Sequence, residues 1–108
     1  MKALTMKILE VDQDSKKRLG KDFKINYVDE VRNVIKFPAQ DSAVKDLEEM
    51  QQRLDILKKL LVVTDTLILE NAEAKVLQKA VAHQGWLVID AAVLEFKTDV
   101  ANMPDYKE

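Results

Sequence analysis

Cysteine is absent from the chain. That removes disulfide scaffolds, thiolate metal sites and cysteine nucleophiles, and it fits a reducing compartment. Glycine and proline are scarce, two of each in 108 residues. An all-β fold with many tight turns needs more glycine, because hairpin turns demand positive φ values. The shortage therefore favours helices. Apolar runs such as Leu60–Val63 fall far short of the roughly 20 residues of a membrane span. Met1–Lys7 lacks the apolar core of a secretory signal. These absences predict a cytoplasmic protein of one domain.

What is present is an ordinary globular balance, 47% hydrophobic and 33% charged. The net charge of −2 hides an asymmetry. Residues 1–40 carry nine Lys/Arg against six Asp/Glu, whereas residues 65–108 carry four against eight. A basic front and an acidic rear are expected to attract copies of the chain to one another head to tail.

Period-two alternation of Leu4, Met6 and Ile8 in "ALTMKILEV" predicts a half-buried strand. The polar stretch "DQDSKKRLG" reads as a turn that stops at Gly20. Phe23, Ile25 and Tyr27 alternate again, so a second strand can pair with the first. From Val28 the period becomes helical through Val31 and Ile35, and Phe37-Pro38 closes that helix.

The strongest helical signal follows, with Asp41 or Ser42 as the cap of "AVKDLEEMQQRLDILKKLL". Leu47, Met50, Leu54, Leu57 and Leu61 repeat in steps of three and four, a coiled-coil-like seam. A second apolar row, Ile56, Leu60, Val63 and Leu67, makes the helix apolar on two sides. Such a helix lies centrally in a bundle or covers one side with a partner. Residues 62–72 admit helix, break or strand; a helix broken near residues 64–66 or at Asn71 is preferred, because Thr64 and Ile68 continue the seam. A cap at Asn71 starts "AEAKVLQKAVAH", and Gly85 is placed to close it in a left-handed conformation. Trp86, Ile89, Val93, Phe96 and Val100 form a second seam of the same spacing. The two seams predict an antiparallel helical pair, and "MPDYKE" reads as a frayed tail.

The expected fold is mainly α, a helical bundle or hairpin core with a small N-terminal β element. The single domain, residues 1–108, divides at Pro38 into a small αβ part, 1–38, and a helical part, 39–103.

Catalytic vocabulary is thin. His83 is the only histidine, and its place at a helix C-terminus suits the dipole without any acid–base partner nearby. The adjacent pairs Asp29-Glu30 and Glu48-Glu49 do not face one another on a helix. Asp90 and Glu95 stand alone, and Asp90 reads as exposed or paired with a lysine. No metal-ligand spacing occurs, so no enzyme, no cofactor and no metal are expected.

Three function classes remain, one of them a small enzyme using carboxylates for which the sequence offers no constellation. The first acts by protein contact, as a self-associating or assembly protein. Its candidate contacts are Leu57, Leu60, Leu61 and Ile68, with Trp86, Ile89 and Val93. The alternative is a small regulator that binds nucleic acid through residues 15–24, using Lys16, Lys17, Arg18 and Lys21. The acidic pI and the lack of interleaved aromatics disfavour it.

The order of parts resembles the small tail assembly chaperones of long-tailed bacteriophages. In these a strand like "LTMKILEV" precedes a mainly helical, cysteine-free body like "DLEEMQQRLDILKKLLVVTDTLILENAEAKVLQKAV". The resemblance covers most of the chain and lies in size, organisation and texture, not in a motif, so no site residue carries over. It implies an oligomeric protein that gathers other tail proteins before polymerisation, without catalysis.

Overall fold

A computed structural model describes residues 1–39, 43–86 and 88–106. The domain is mainly helical, with two small antiparallel sheets, and its N-terminal residues supply a strand to each. The expected strand over residues 3–11 is two strands with different partners, β1 (Lys2–Thr5) and β2 (Ile8–Glu10). β3 (Lys24–Asn26) pairs with β2, setting Leu9 opposite Ile25, so the expected hairpin-like pairing is present.

The segment between β2 and β3 is not a bare turn. It holds a short helix, α1 (Gln13–Leu19). Asp12 caps it by accepting from the Ser15 amide at 2.8 Å, which satisfies one of the orphan donors of a helix start. Gly20 ends it with φ +116°, a conformation that side chains rarely adopt. α2 (Tyr27–Lys36) starts directly after β3, capped by the Asn26 side chain. It buries Tyr27, Val31, Val34 and Ile35, and it ends at Phe37, immediately before Pro38.

α3 (Leu47–Leu61) is capped by Asp46 and starts four residues later than the expected helix from Ala43, because residues 43–46 are not helical; the expected caps Asp41 and Ser42 lie outside the described residues. The helix stops at Leu61, and β4 (Thr66–Leu69) follows a bend. The preferred helix through residues 62–72 is thus corrected at residues 66–69, which form a strand; the break expected near residues 64–66 is present as the bend, and Asn71 begins the next helix. Val62, Val63, Thr64, Thr66 and Ile68 are β-branched and lose rotamer freedom in a helix. β1 also offers them a ladder. β4 pairs with it antiparallel, Leu4 opposite Leu67, with both side chains buried. The Met6 amide donates to the Asp65 carbonyl at 2.8 Å, extending the contact.

α4 (Asn71–His83) begins where the Glu73 carboxylate accepts from the Glu70 amide at 2.8 Å. Asn71 is therefore the first helical residue and not the cap. The helix closes through extended Gln84, and Gly85 has no positive φ, so the left-handed closure expected there does not occur. α5 (Ala91–Ala101) begins only at its cap Asp90. Trp86 and Ile89 precede the helix and are not part of a continuous seam.

One cluster of buried apolar side chains runs from Leu4 to Met103 and takes residues from both sheets and from α2 to α5. α3 packs against α2 and α4, and α5 against α4. The two seams therefore do not meet as a helical pair. The tail is tied down through Tyr106, contrary to the frayed expectation. Met103 is buried, Asp105 bridges Lys2, and the Tyr106 amide donates to the Met1 carbonyl at 2.9 Å.

Candidate interaction surface

α3 has two apolar sides, and the core takes only one. Ile56 and Leu60 face inward, together with Arg53. The buried Arg53 guanidinium donates to the carbonyls of Val34 and Ile35 at 3.2 and 2.9 Å. Those oxygens belong to the last turn of α2, where helix carbonyls lack intrahelical partners and favour a cation. Glu49 receives the Arg53 Nε at 3.3 Å, so the buried cation is paired. This clamp fixes the face that α3 turns inward.

The seam of threes and fours is left facing out. Leu47 and Leu61 are 83% and 84% exposed, and Met50 and Leu54 are each close to half exposed. Leu57 is half-buried, at the edge where α3 meets α2. An apolar hollow lies along that edge, lined by Met50, Leu54 and Leu57 from α3 and by Pro38, Ala39 and Val44 from the preceding segment. Phe37, at the end of α2, is itself mostly exposed. Exposed large apolar side chains in contiguous patches are uncommon on a monomer surface.

The other expected contacts separate cleanly. Leu60 and Val93 are core residues, at 6% exposure each, and are withdrawn as surface contacts. Ile68 is half-buried on β4 opposite Ala3. Trp86 is half-buried edge-on against Phe96, with ring centroids 6.0 Å apart, and Phe96 meets Tyr27 in the same way at 4.9 Å. The indole N–H is buried without an acceptor among the described residues. Ile89, by contrast, is almost fully exposed beside Leu94, on the rim of a shallow hollow next to Trp86.

Among the basic residues, Lys16 pairs with Glu10 at 3.0 Å, and Lys24 reaches the same carboxylate. Those two hydrogen bonds hold Glu10 below the usual carboxylate range. Lys17, Arg18 and Lys21 are exposed at the end of α1 and in the turn after it.

Two polar clusters join distant parts of the chain, and neither is visible in the linear spacing. Asp90 caps α5 at the Ala92 amide and also accepts from the Asp12 amide at 3.0 Å and the Ser15 hydroxyl at 2.9 Å. The Asp12 and Ala92 amides hold its carboxyl below the ordinary range. Asp90 is thus a cap shared between two helices, neither free nor paired with a lysine. In the second cluster the Tyr27 hydroxyl donates to Asp99 Oδ2 at 2.6 Å, and Lys7 donates to the same oxygen at 2.9 Å. Burial and then the Asp99 carboxylate push the Tyr27 hydroxyl up, so it stays protonated. Burial works to raise Asp99, but the bonds from Tyr27 and Lys7 outweigh it and hold Asp99 low. Lys7 is raised by its bond to Asp99. Each of these three groups therefore sits in its ordinary charge state near neutral pH, and the cluster ties the start of α2 to α5.

His83 is exposed at the end of α4, its Nδ1 2.9 Å from the Lys79 carbonyl. Among the described residues no three of His, Asp or Glu converge as metal ligands, and no helix is long and apolar enough to cross a membrane. No protein-family model, curated protein or solved structure matches this chain.

Proposed function

We propose that the protein acts by protein–protein contact through the outer face of α3, as a non-enzymatic assembly protein. The observation that carries this is the row Leu47, Leu54, Leu61, with Met50 beside it, left outside the core on a helix whose inward face is already filled. Removing such side chains from water is the main favourable term of association, and an exposed apolar row on an otherwise charged helix is the feature that needs a partner. The finer reading, a chaperone of phage tail assembly, draws on the resemblance in size and order of parts. A protein that gathers others before they polymerise needs an apolar contact face and no catalytic site.

The test is the triple variant Leu47→Ser, Leu54→Ser, Leu61→Ser, compared with the wild type by urea unfolding and by light scattering behind a sizing column. The expected result is a full helical signal, an unfolding midpoint close to wild type, and lost association. A variant that no longer folds would put these leucines in the core. A folded variant that associates as before would overturn the α3 reading.

A further inference from the structure

The outer row of α3 is nearly symmetric about its own centre. Relative to Leu54, the apolar positions fall at −7, −4, +3 and +7, namely Leu47, Met50, Leu57 and Leu61. The charges are antisymmetric about the same point, with Glu48 and Glu49 in the first turn and Lys58 and Lys59 in the last. Glu49 and Lys59 are engaged inside the chain, with Arg53 and Lys79 and with Glu73 respectively. Glu48 and Lys58 are exposed and make no ion pair among the described residues.

From this we infer that the occupant of the α3 face is a second copy of the chain, docked antiparallel about a two-fold axis at Leu54. The inference rests on the α3 reading above and names its partner. A two-fold contact requires one patch to be complementary to itself. Turning a copy end for end about Leu54 brings Leu47 onto the partner's Leu61, Leu54 onto its own counterpart, and Met50 beside the partner's Leu57. The same operation brings the basic last turn, with Lys58, alongside the partner's acidic first turn, with Glu48, and it opposes the two helix dipoles favourably. A parallel arrangement keeps the apolar match but stacks acidic turn on acidic turn and basic on basic. The charge pattern therefore selects the direction.

Size sets the strength. A 15-residue helix is roughly 22 Å long. Its one face buries less than the roughly 800 Å² per partner of a stable interface, even with the hollow beside Met50 added. The dimer is therefore concentration-dependent, with a dissociation constant on the order of micromolar or weaker.

The absence of native cysteine makes cross-linking unambiguous. Three single variants, Leu47→Cys, Leu54→Cys and Leu61→Cys, are oxidised alone and in pairwise mixtures, and the wild type is weighed by light scattering over the same concentrations. In the antiparallel dimer Leu54→Cys cross-links to itself, and Leu47→Cys cross-links to Leu61→Cys. Neither of those two cross-links to itself, because like positions stand about 21 Å apart, far beyond the roughly 7 Å limit of a disulfide. Self-cross-linking of all three with no mixed product would mean a parallel pair and overturn the inference. A wild type that stays monomeric throughout would overturn the second copy, leaving another protein as the partner of α3. A wild type that dimerises while no variant cross-links would overturn this inference and the α3 reading together.

Discussion

α3 and α5 both carry apolar residues in steps of three and four, yet they use them in opposite ways. On α5 the row Val93, Phe96, Val100 is buried, and Phe96 sits at the centre of an aromatic chain with Tyr27 and Trp86. On α3 the longer and more regular row faces outward at Leu47, Met50, Leu54 and Leu61, with Leu57 half-buried at its edge, and the core takes Ile56 and Leu60 instead. Spacing says which residues share a face of a helix. It does not say what covers that face. α3 offers two apolar sides, and the buried Arg53, which needs the end carbonyls of α2, decides which one turns inward.

The largest expected contrast comes from truncating the matched central residues of the two rows. Phe96→Ala should cost about 3–5 kcal/mol of stability, as fully buried aromatics do. Leu54→Ala should change the stability of the dilute protein by far less, because its side chain is already half in water. Urea unfolding at a concentration below association measures both. Equal losses would erase the distinction between the faces.

A smaller effect separates the start of α5 from that of α3. Asp90 caps one helix and ties in another, whereas Asp46 caps α3 alone. Because the folded state lowers the Asp90 pKa, its contribution is present above the ordinary carboxylate pKa and is lost as pH falls through the lowered value. Asp90→Asn should therefore lower the thermal midpoint near neutral pH and flatten the fall on its acid side. An acid limb identical to wild type would show that the shared cap contributes nothing.

The smallest effect is expected at His83. His83→Ala should leave both unfolding and association within about 0.5 kcal/mol of wild type, as for most exposed surface changes. Association that depends on the imidazole would give this side chain a role that its surroundings do not explain.

The elements that could be read from the sequence are those whose local preferences agree with their packing. α2 has its helical period and its Phe37-Pro38 stop, α3 has its strong helix formers, and β2 and β3 have alternating apolar residues. Where the sequence misled, a distant partner decided. β4 is a strand because β1 is there to pair with it. α5 starts late because Asp90 has amides from two segments to accept. Leu60 is a contact candidate through its place in the second apolar row, but the core takes that row, while Leu61, about 100° further round the helix, stays exposed. The spacing of Glu49 and Arg53 suits an ion pair on a helix surface, and the pair forms, but Arg53 is buried because the Val34 and Ile35 carbonyls of a distant segment receive it.

The proposed association uses the outer row of α3 and spares the core. The most direct measurement is a dilution series of the wild type with labelled leucine and valine methyl groups, followed by nuclear magnetic resonance. Leu47, Leu54 and Leu61 are expected to shift with concentration, while Leu60, Val93 and Val100 hold still. Shifts confined to residues around Trp86 and Ile89, or no shift at any concentration, would contradict it.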